Sequence, residues 1–246
     1  MKKKLISAII PCYNEEKIIE SSVNAVEKAL SSMDGDFELV IVDDGSTDGT
    51  KKILERLVKS GKHLNLRFLS YANGPSRREN LAKSFKSLKG GYILLLDMDL
   101  SLDLKHLKEM IGFLDRGFDL VIPNRYHKAS KIRRDPKRYA ISKLYNALIR
   151  ALFMTGLKDN ICGFKAFRRD AAMKLVAQAG IDKSGKRSVF WDTELLIRAI
   201  KNGMKIKQIP VHWEESDSST LTFKREMKMF PYIMKFWMGF RSGRIK

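Results

Sequence analysis

Cysteine is scarce in this chain: Cys12 and Cys162 are the only two among 246 residues. They match no metal-ligand spacing, and so low a thiol content points to a reducing compartment rather than a disulfide-stapled scaffold. Histidine is nearly as rare, and His63, His106, His127 and His212 are scattered, forming neither a metal cluster nor a triad with Ser or Cys. Nucleophilic hydrolase chemistry therefore has no support. Missing too is any run of about 18 apolar, uncharged residues, so no membrane-spanning helix is expected and any membrane contact must be peripheral. The basic start MKKK leads only into LISAII before Asn14, Glu15 and Glu16. That stretch is short and has no small-residue cleavage site, so it reads as a first strand rather than a signal peptide. Neither GxxxxGK[ST] nor GxGxxG follows any apolar run, which excludes the Walker and Rossmann phosphate loops.

Acidic residues are also in short supply, 28 against 47 Lys and Arg, for a net charge of +19. Such a balance suits an anionic partner: nucleic acid, a phosphorylated lipid surface or a phosphate-rich substrate. A chain of this length can bury a sizeable core as one α/β domain. No repeat, low-complexity segment or Pro/Ser/Gly linker suggests a second.

What is present is a β/α alternation. LISAII, FELVIV, LRFLSY, YILLLD and FDLVIP are short apolar runs, and helix-like stretches at 16–31, 48–60, 76–88 and 103–115 lie between them. This pattern predicts a mostly parallel sheet with helices on both faces. Ligands of such sheets sit beyond the carboxyl ends of the strands. The polar clusters PCYNEE, DDGSTDGT, DMDLS and PNRYHK fall in those places. Beyond Arg125 come Lys128, Lys131, Arg133, Arg134, Lys137 and Arg138 against the lone Asp135, then a helix near 136–154. Its Ile141, Leu144, Tyr145, Leu148, Ile149 and Leu152 form one apolar stripe beside a basic face. CGFKAF, a helix at 190–202 and the strand MKIKQIPVHW follow. The tail from Thr222 mixes Phe223, Met227, Phe230, Ile233, Met234, Trp237 and Phe240 with Lys224, Arg225, Lys228, Lys235, Arg241 and Arg244.

Asp97 and Asp99, one residue apart at the end of a buried strand, can lie near a single cation. A Mg2+ or Mn2+ ion takes carboxylates together with phosphate oxygens. The plainer alternative is a helix cap beside a solvated acid. Asp43 and Asp44 can accept hydrogen bonds from a base or from ribose hydroxyls, although DDGSTDGT is also a good turn and N-cap sequence. Pro11 and Tyr13 can wall a base while Asn14 or Glu15 bonds to it. Arg138 and Ser142, four apart on one helix face, can grip a phosphate together with Arg125 and Lys143, or these residues form a solvated basic face. Of Asp192 and Glu194, one is expected to serve the helix start and the other the site.

Taken in order, IIPCYNEE, VIVDDGSTDGT, LLLDMDLS and the basic segment after VIPNR resemble family-2 glycosyltransferases of the GT-A fold. Within that family, DNICGFKAFRRDAA, VFWDTELLIRA and IPVHWEE look most like the polyprenyl-phosphate (dolichyl-phosphate) sugar synthases, closest to the glucosyl branch. Glu214, Glu215 and Ser101 stand where the mannosyl branch usually carries Arg and Gln, which favours a UDP-sugar. NGPSRREN and DSSTL depart from the family's Gly-rich, Lys-containing loop and its GSSKL element.

The resemblance implies a single Rossmann-like GT-A domain over 1–246. Within it, 1–125 would form a nucleotide-sugar-binding half, 126–220 an acceptor-binding half and 221–246 an amphipathic basic helix. It implies an inverting, metal-dependent transfer from a nucleotide sugar to a polyprenyl or dolichyl phosphate. Asp97, Asp99, Arg125 and Asp192 would be the catalytic set, with Asp99 the direct metal ligand and Asp97 facing the nucleotide and ribose. Pro11, Tyr13, Glu15, Asp43 and Asp44 would hold the donor, and Arg125, Arg138, Ser142 and Lys143 the acceptor phosphate. The enzyme would lie at the cytoplasmic face of an anionic membrane. A nucleic-acid-binding module is the rival class, disfavoured because the basic residues cluster beside carboxylates rather than in a recognised motif.

Overall fold

In the computed structural model the described residues are 5–76, 78–215 and 223–245, with side chains left undescribed at 223–227. The MKKK start, Arg77 of the NGPSRREN loop, the DSSTL segment and Thr222 lie outside them, as do the side chains of Phe223, Lys224, Arg225 and Met227.

Seven strands form the main sheet: β1 (Ile6–Cys12), β2 (Phe37–Asp43), β3 (Leu66–Ser70), β4 (Tyr92–Leu95), β5 (Leu120–Pro123), β7 (Lys165–Arg168) and β8 (Ile206–Ile209). Their order is β3-β2-β1-β4-β7-β5-β8, and only β7 runs antiparallel to its neighbours. The central strands are apolar on both faces, as expected for strands covered on both sides. Helices α1 (Ile19–Ser31), α2 (Thr50–Lys59) and α4 (His106–Asp115) cover one face, packing Val23, Val26, Leu54, Leu57 and Met110 against Ala8, Ile10 and Leu94. Helices α3 (Glu79–Ser84), α6 (Arg169–Ala179) and α7 (Phe190–Lys201) cover the other, packing Leu81, Leu175 and Leu195 against Ile9, Val40 and Leu95.

The expected helices all form, with starts moved inward by up to three residues because the polar loops before them are occupied in holding one another. The stretch 76–88 becomes the short α3 followed by a 3-10 turn, Phe85–Ser87. MKIKQIPVHW is not one strand. Pro210 has no N–H to continue the ladder, so β8 ends at Ile209 and a new strand, β9 (His212–Glu214), pairs with β6 (Lys131–Arg133) in a separate two-stranded sheet.

Helix α5 (Pro136–Phe153) opens on Asp135, whose carboxylate accepts the Arg138 N–H at 3.0 Å, with Pro136 in the first turn. The apolar stripe expected on it is divided. Ile149 and Phe153 are buried against α7 and α8 (Phe223–Arg241), whereas Leu144 and Leu148 stay exposed. Helix α8 gives Met229, Ile233 and Phe236 to this same cluster, so its apolar face is largely taken by the protein itself. No helix among the described residues is long and apolar enough to cross a membrane.

Candidate active site

Strands β1, β2, β4 and β5 are mutually parallel, so the loops after them leave the same sheet edge. Because β7 is antiparallel, it begins at that edge, with Lys165 beside Leu95. Four of the five described non-glycine residues with positive φ lie in the loops and helix starts around it: Asn14, Arg78, Leu100 and Ser188. Backbone strain of this kind collects at functional sites.

Asp97 and Asp99 lie in a tight turn after β4. Leu100 (φ 48°) closes the turn with its N–H on the Asp97 carbonyl, and Ser22 of α1 bonds the Met98 carbonyl at 2.8 Å. Asp99 accepts from the Ser101 hydroxyl at 2.7 Å. Asp97 accepts from Arg78 Nη2 at 3.4 Å through one carboxylate oxygen. The same guanidinium gives Nε to Asp192 Oδ2 at 2.8 Å, and Asp192 Oδ1 takes Lys165 Nζ at 2.7 Å. Four charges, from the residue before α3, the β4 loop, β7 and α7, thus form one chain. Desolvation raises the Asp97 carboxyl, with Asp99 and Asp192 adding to the rise and Arg78 opposing it. Burial pushes Asp192 the same way, but Arg78 and Lys165 outweigh it and hold that carboxyl below its ordinary range. Gly163 leaves room for this carboxylate, since a Cβ on it would fall 2.1 Å from Asp97 Oδ2 and displace that side chain.

The loops after β1 and β2 are laced together. Asn14 accepts from the Thr47 N–H at 2.8 Å, Thr50 Oγ1 accepts from the Glu15 N–H at 2.8 Å, and Glu16 accepts from the Gly49 N–H at 2.7 Å. Asp43 takes the Ser46 N–H and the Ser70 hydroxyl, and Asp44 takes both donors of Ser76 and the Asn80 amide. These two acids therefore organise three loops, and Gly74 lets two of them touch: a Cβ there would lie 1.5 Å from the Asp44 carbonyl oxygen. Pro11 is half-buried and Tyr13 is exposed on the rim. The Glu15 carboxyl is pushed up to about 7 by burial and by the charges of Asp99 and Asp48.

The expected phosphate-gripping group is not displayed as a set. Arg125 is buried and bidentate to Asp159, at 2.7 and 2.9 Å, with Trp213 stacked 4.8 Å from its guanidinium carbon. Ser142 is buried too, its hydroxyl shared with Tyr126 at 2.7 Å and Arg134 at 2.9 Å. Arg138 is partly exposed and lies 3.7 Å from Glu215. Lys143 is exposed and points to the next face of α5, alongside Asn146 and Arg150. Glu194 belongs to a buried network with Arg187, Arg198 and Tyr232. Asp192, by contrast, lies with Arg78 and Lys165 beside Asp97. Arg78 and Lys165 are functional candidates that the sequence reading did not single out. Lys165 stood within CGFK without a role, and Arg78 carried no local signal.

Among the described residues no three His, Cys, Asp or Glu side chains converge into a protein-only metal cage. Mg2+ and Mn2+ need no such cage, since they bind through one or two carboxylates plus substrate phosphates. Asp97 and Asp99 fit this donor set. Glu15, raised first by burial and then by the charges of Asp99 and Asp48, adds a third acid to the same edge.

The profile of Glycosyl transferase family 2 matches residues 7–176. The chain is 30% identical over 236 residues to the Haloferax volcanii protein named Glycosyltransferase AglD, covering 94% of this chain but only 37% of that one. It is 24% identical to the Dictyostelium discoideum Dolichyl-phosphate beta-glucosyltransferase (94% of this chain, 76% of that one). It is also 30% identical to the Mycolicibacterium smegmatis Polyprenol monophosphomannose synthase (85% and 77%). In fold it matches the crystal structure of Mycobacterium tuberculosis glucosyl-3-phosphoglycerate synthase in complex with Mn2+, uridine diphosphate and glucosyl-3-phosphoglycerate. The TM-score is 0.68 at 21% identity, over 98% of this chain and 80% of that one. With its acid pair, its sheet order and these likenesses taken together, the chain belongs to glycosyl transferase family 2.

Proposed function

We propose that this enzyme transfers a hexose, glucose favoured, from a nucleotide sugar, UDP-sugar favoured, to a polyprenyl or dolichyl phosphate with inversion. The observation that carries this reading is the convergence of Asp97 and Asp99 with the Arg78–Asp192–Lys165 chain at one sheet edge, in a protein whose relatives include synthases named for those lipid phosphates. Asp99, with Asp97, would hold the Mg2+ or Mn2+ ion. When bound, that ion neutralises charge on the departing diphosphate. Asp192, kept ionised, positions Arg78 and Lys165 as fixed positive charges near the same group. Pro11, Tyr13 and Glu15 face the donor, with Asp43 and Asp44 setting the loops that receive it. The acceptor needs no strong base, because a phosphate monoester with a second pKa of about 6 is already largely dianionic near neutrality. Arg138 is the cation that meets it, while Arg125 and Ser142 shape the ground beneath. The enzyme would work peripherally on an anionic membrane, at its cytoplasmic face.

A donor screen with polyprenyl phosphate and divalent metal tests the reading. UDP-glucose is expected to yield lipid-linked product. Product from GDP-mannose alone would move the enzyme to the mannosyl branch, and transfer only to a glycan or glycolipid would end the lipid-phosphate assignment. Asp99→Ala is expected to lower turnover about 100-fold or more while the thermal transition persists. Unchanged turnover would end the metal assignment.

A further inference from the structure

A cavity of about 330 Å³ lies between α5 and the turn that follows it, lined by Tyr126, Lys143, Asn146, Arg150, Gly156 and Lys158. The spacing explains the lining: 143, 146 and 150 recur at three and four on one face of α5. Met154 then ends the helix in the left-handed region (φ 51°), turning the chain so that Lys158 comes back to the same cavity. None of the three cations has a carboxylate partner among the described residues. Arg150 gives one N–H to the Lys158 carbonyl at 3.3 Å, and the neighbouring acid, Asp159, is already bidentate to Arg125. The turn also carries Thr155, whose buried hydroxyl lacks a hydrogen-bond partner.

The structural explanation for cations here is the carboxyl end of α5, whose dipole is equivalent to about half a negative charge. Three full positive charges exceed that several-fold. An anionic lipid headgroup phosphate offsets part of what remains. Tyr126 and Asn146 are already bonded to each other, to Ser142 and to Asn160, so the cations are what the cleft offers a ligand. Beside it the outer face of α5 is apolar and uncovered: Leu144 is 71% exposed, Leu148 37% and Met154 84%. A cationic cleft adjoining an apolar ridge is complementary to a phosphate that carries hydrocarbon.

We propose that this cleft binds the phosphate of an anionic lipid headgroup, with Leu144, Leu148 and Met154 entering the adjoining hydrocarbon. The inference rests on the reading of an anionic membrane as partner and names the site that makes the contact. It is tested by binding of the full chain to mixed phosphatidylglycerol–phosphatidylcholine vesicles at low salt, beside calorimetric titration with inorganic phosphate. Near an anionic surface each lysine is worth about fivefold in affinity, so Lys143→Gln with Lys158→Gln is expected to weaken vesicle binding about 25-fold. Lys51→Gln with Lys52→Gln, the same charge change on exposed positions of α2, is expected to weaken it by no more than about twofold. Leu144→Ser with Leu148→Ser is expected to reduce vesicle binding and leave phosphate binding intact. Equal losses in the cleft and α2 variants would overturn the site, as would inorganic phosphate binding at the cleft with vesicle affinity indifferent to the cleft variant. If the wild type binds vesicles and the cleft variant binds as tightly, the site alone fails. If the wild type does not bind vesicles at all, the membrane reading fails with it.

Discussion

Glu15 shows how much of the site is a matter of single charges. Burial, Asp99 and Asp48 together lift its carboxyl from an ordinary 4.5 to about 7. The folded protein therefore retains a proton there that the unfolded chain has already shed. For the metal-free protein this costs nothing below about pH 4.5, grows as pH rises, and is complete above about 7. Glu15→Gln, which cannot ionise, is expected to match the wild type in urea denaturation at the acid end. It should become the more stable protein by roughly pH 8, and a difference that stays flat across this window would refute the crowding. The acid pair Asp97 and Asp99 was legible from its place after an apolar strand. Arg78 was not, because its partner Asp192 is 114 residues away and nothing in SRREN distinguishes one arginine from the other. Lys165 was visible only as part of CGFK, its role depending on burial beside Asp192.

Elements were more legible where local chemistry decides them. Asp135 before Pro136 marks the start of α5, and the carboxylate does accept the Arg138 N–H. Asp135→Ala is expected to lower stability by about 1 kcal/mol, with Asp135→Ser recovering most of it, as read from urea midpoints. The same logic failed for CGFKAF. Its Lys165–Arg168 becomes an antiparallel strand inserted between β4 and β5, a placement that no alternation within the strand encodes. The WEE element likewise acts through partners that sequence cannot pair. Trp213 stacks on Arg125, and Glu215 holds Arg134 at 3.1 Å. The partner pair Arg133–Glu214 is largely exposed and contributes little.

At the scale of the whole molecule, the sheet makes the proposed donor and acceptor halves interdependent, since β7 and β8 of the second complete the sheet begun by the first. Arg187 ties them again: wholly buried, it pairs with Glu79 of α3 at 2.6 Å and with Glu194 of α7 at 3.5 Å. Arg187→Met would leave the buried Glu79 carboxylate without its cation, while Glu194 keeps Arg198, with an expected loss of about 3–5 kcal/mol in urea unfolding. Probes in the two halves should report one coincident transition, and separated transitions would show that the halves fold apart. The amino-acid sequence by itself determined the β/α alternation, the shared edge of the polar clusters and the carboxylates Asp97 and Asp99. Those properties follow from local hydrophobic period and from the direction of parallel strands. Only the tertiary structure decided that Arg78 and Lys165 neutralise Asp192 and that Asp159 occupies Arg125. It alone also decided that Lys143, Arg150 and Lys158 share a cleft without an acid. Each of these depends on which charges meet in a buried place, and burial and partnership between distant segments are set by packing rather than by order along the chain.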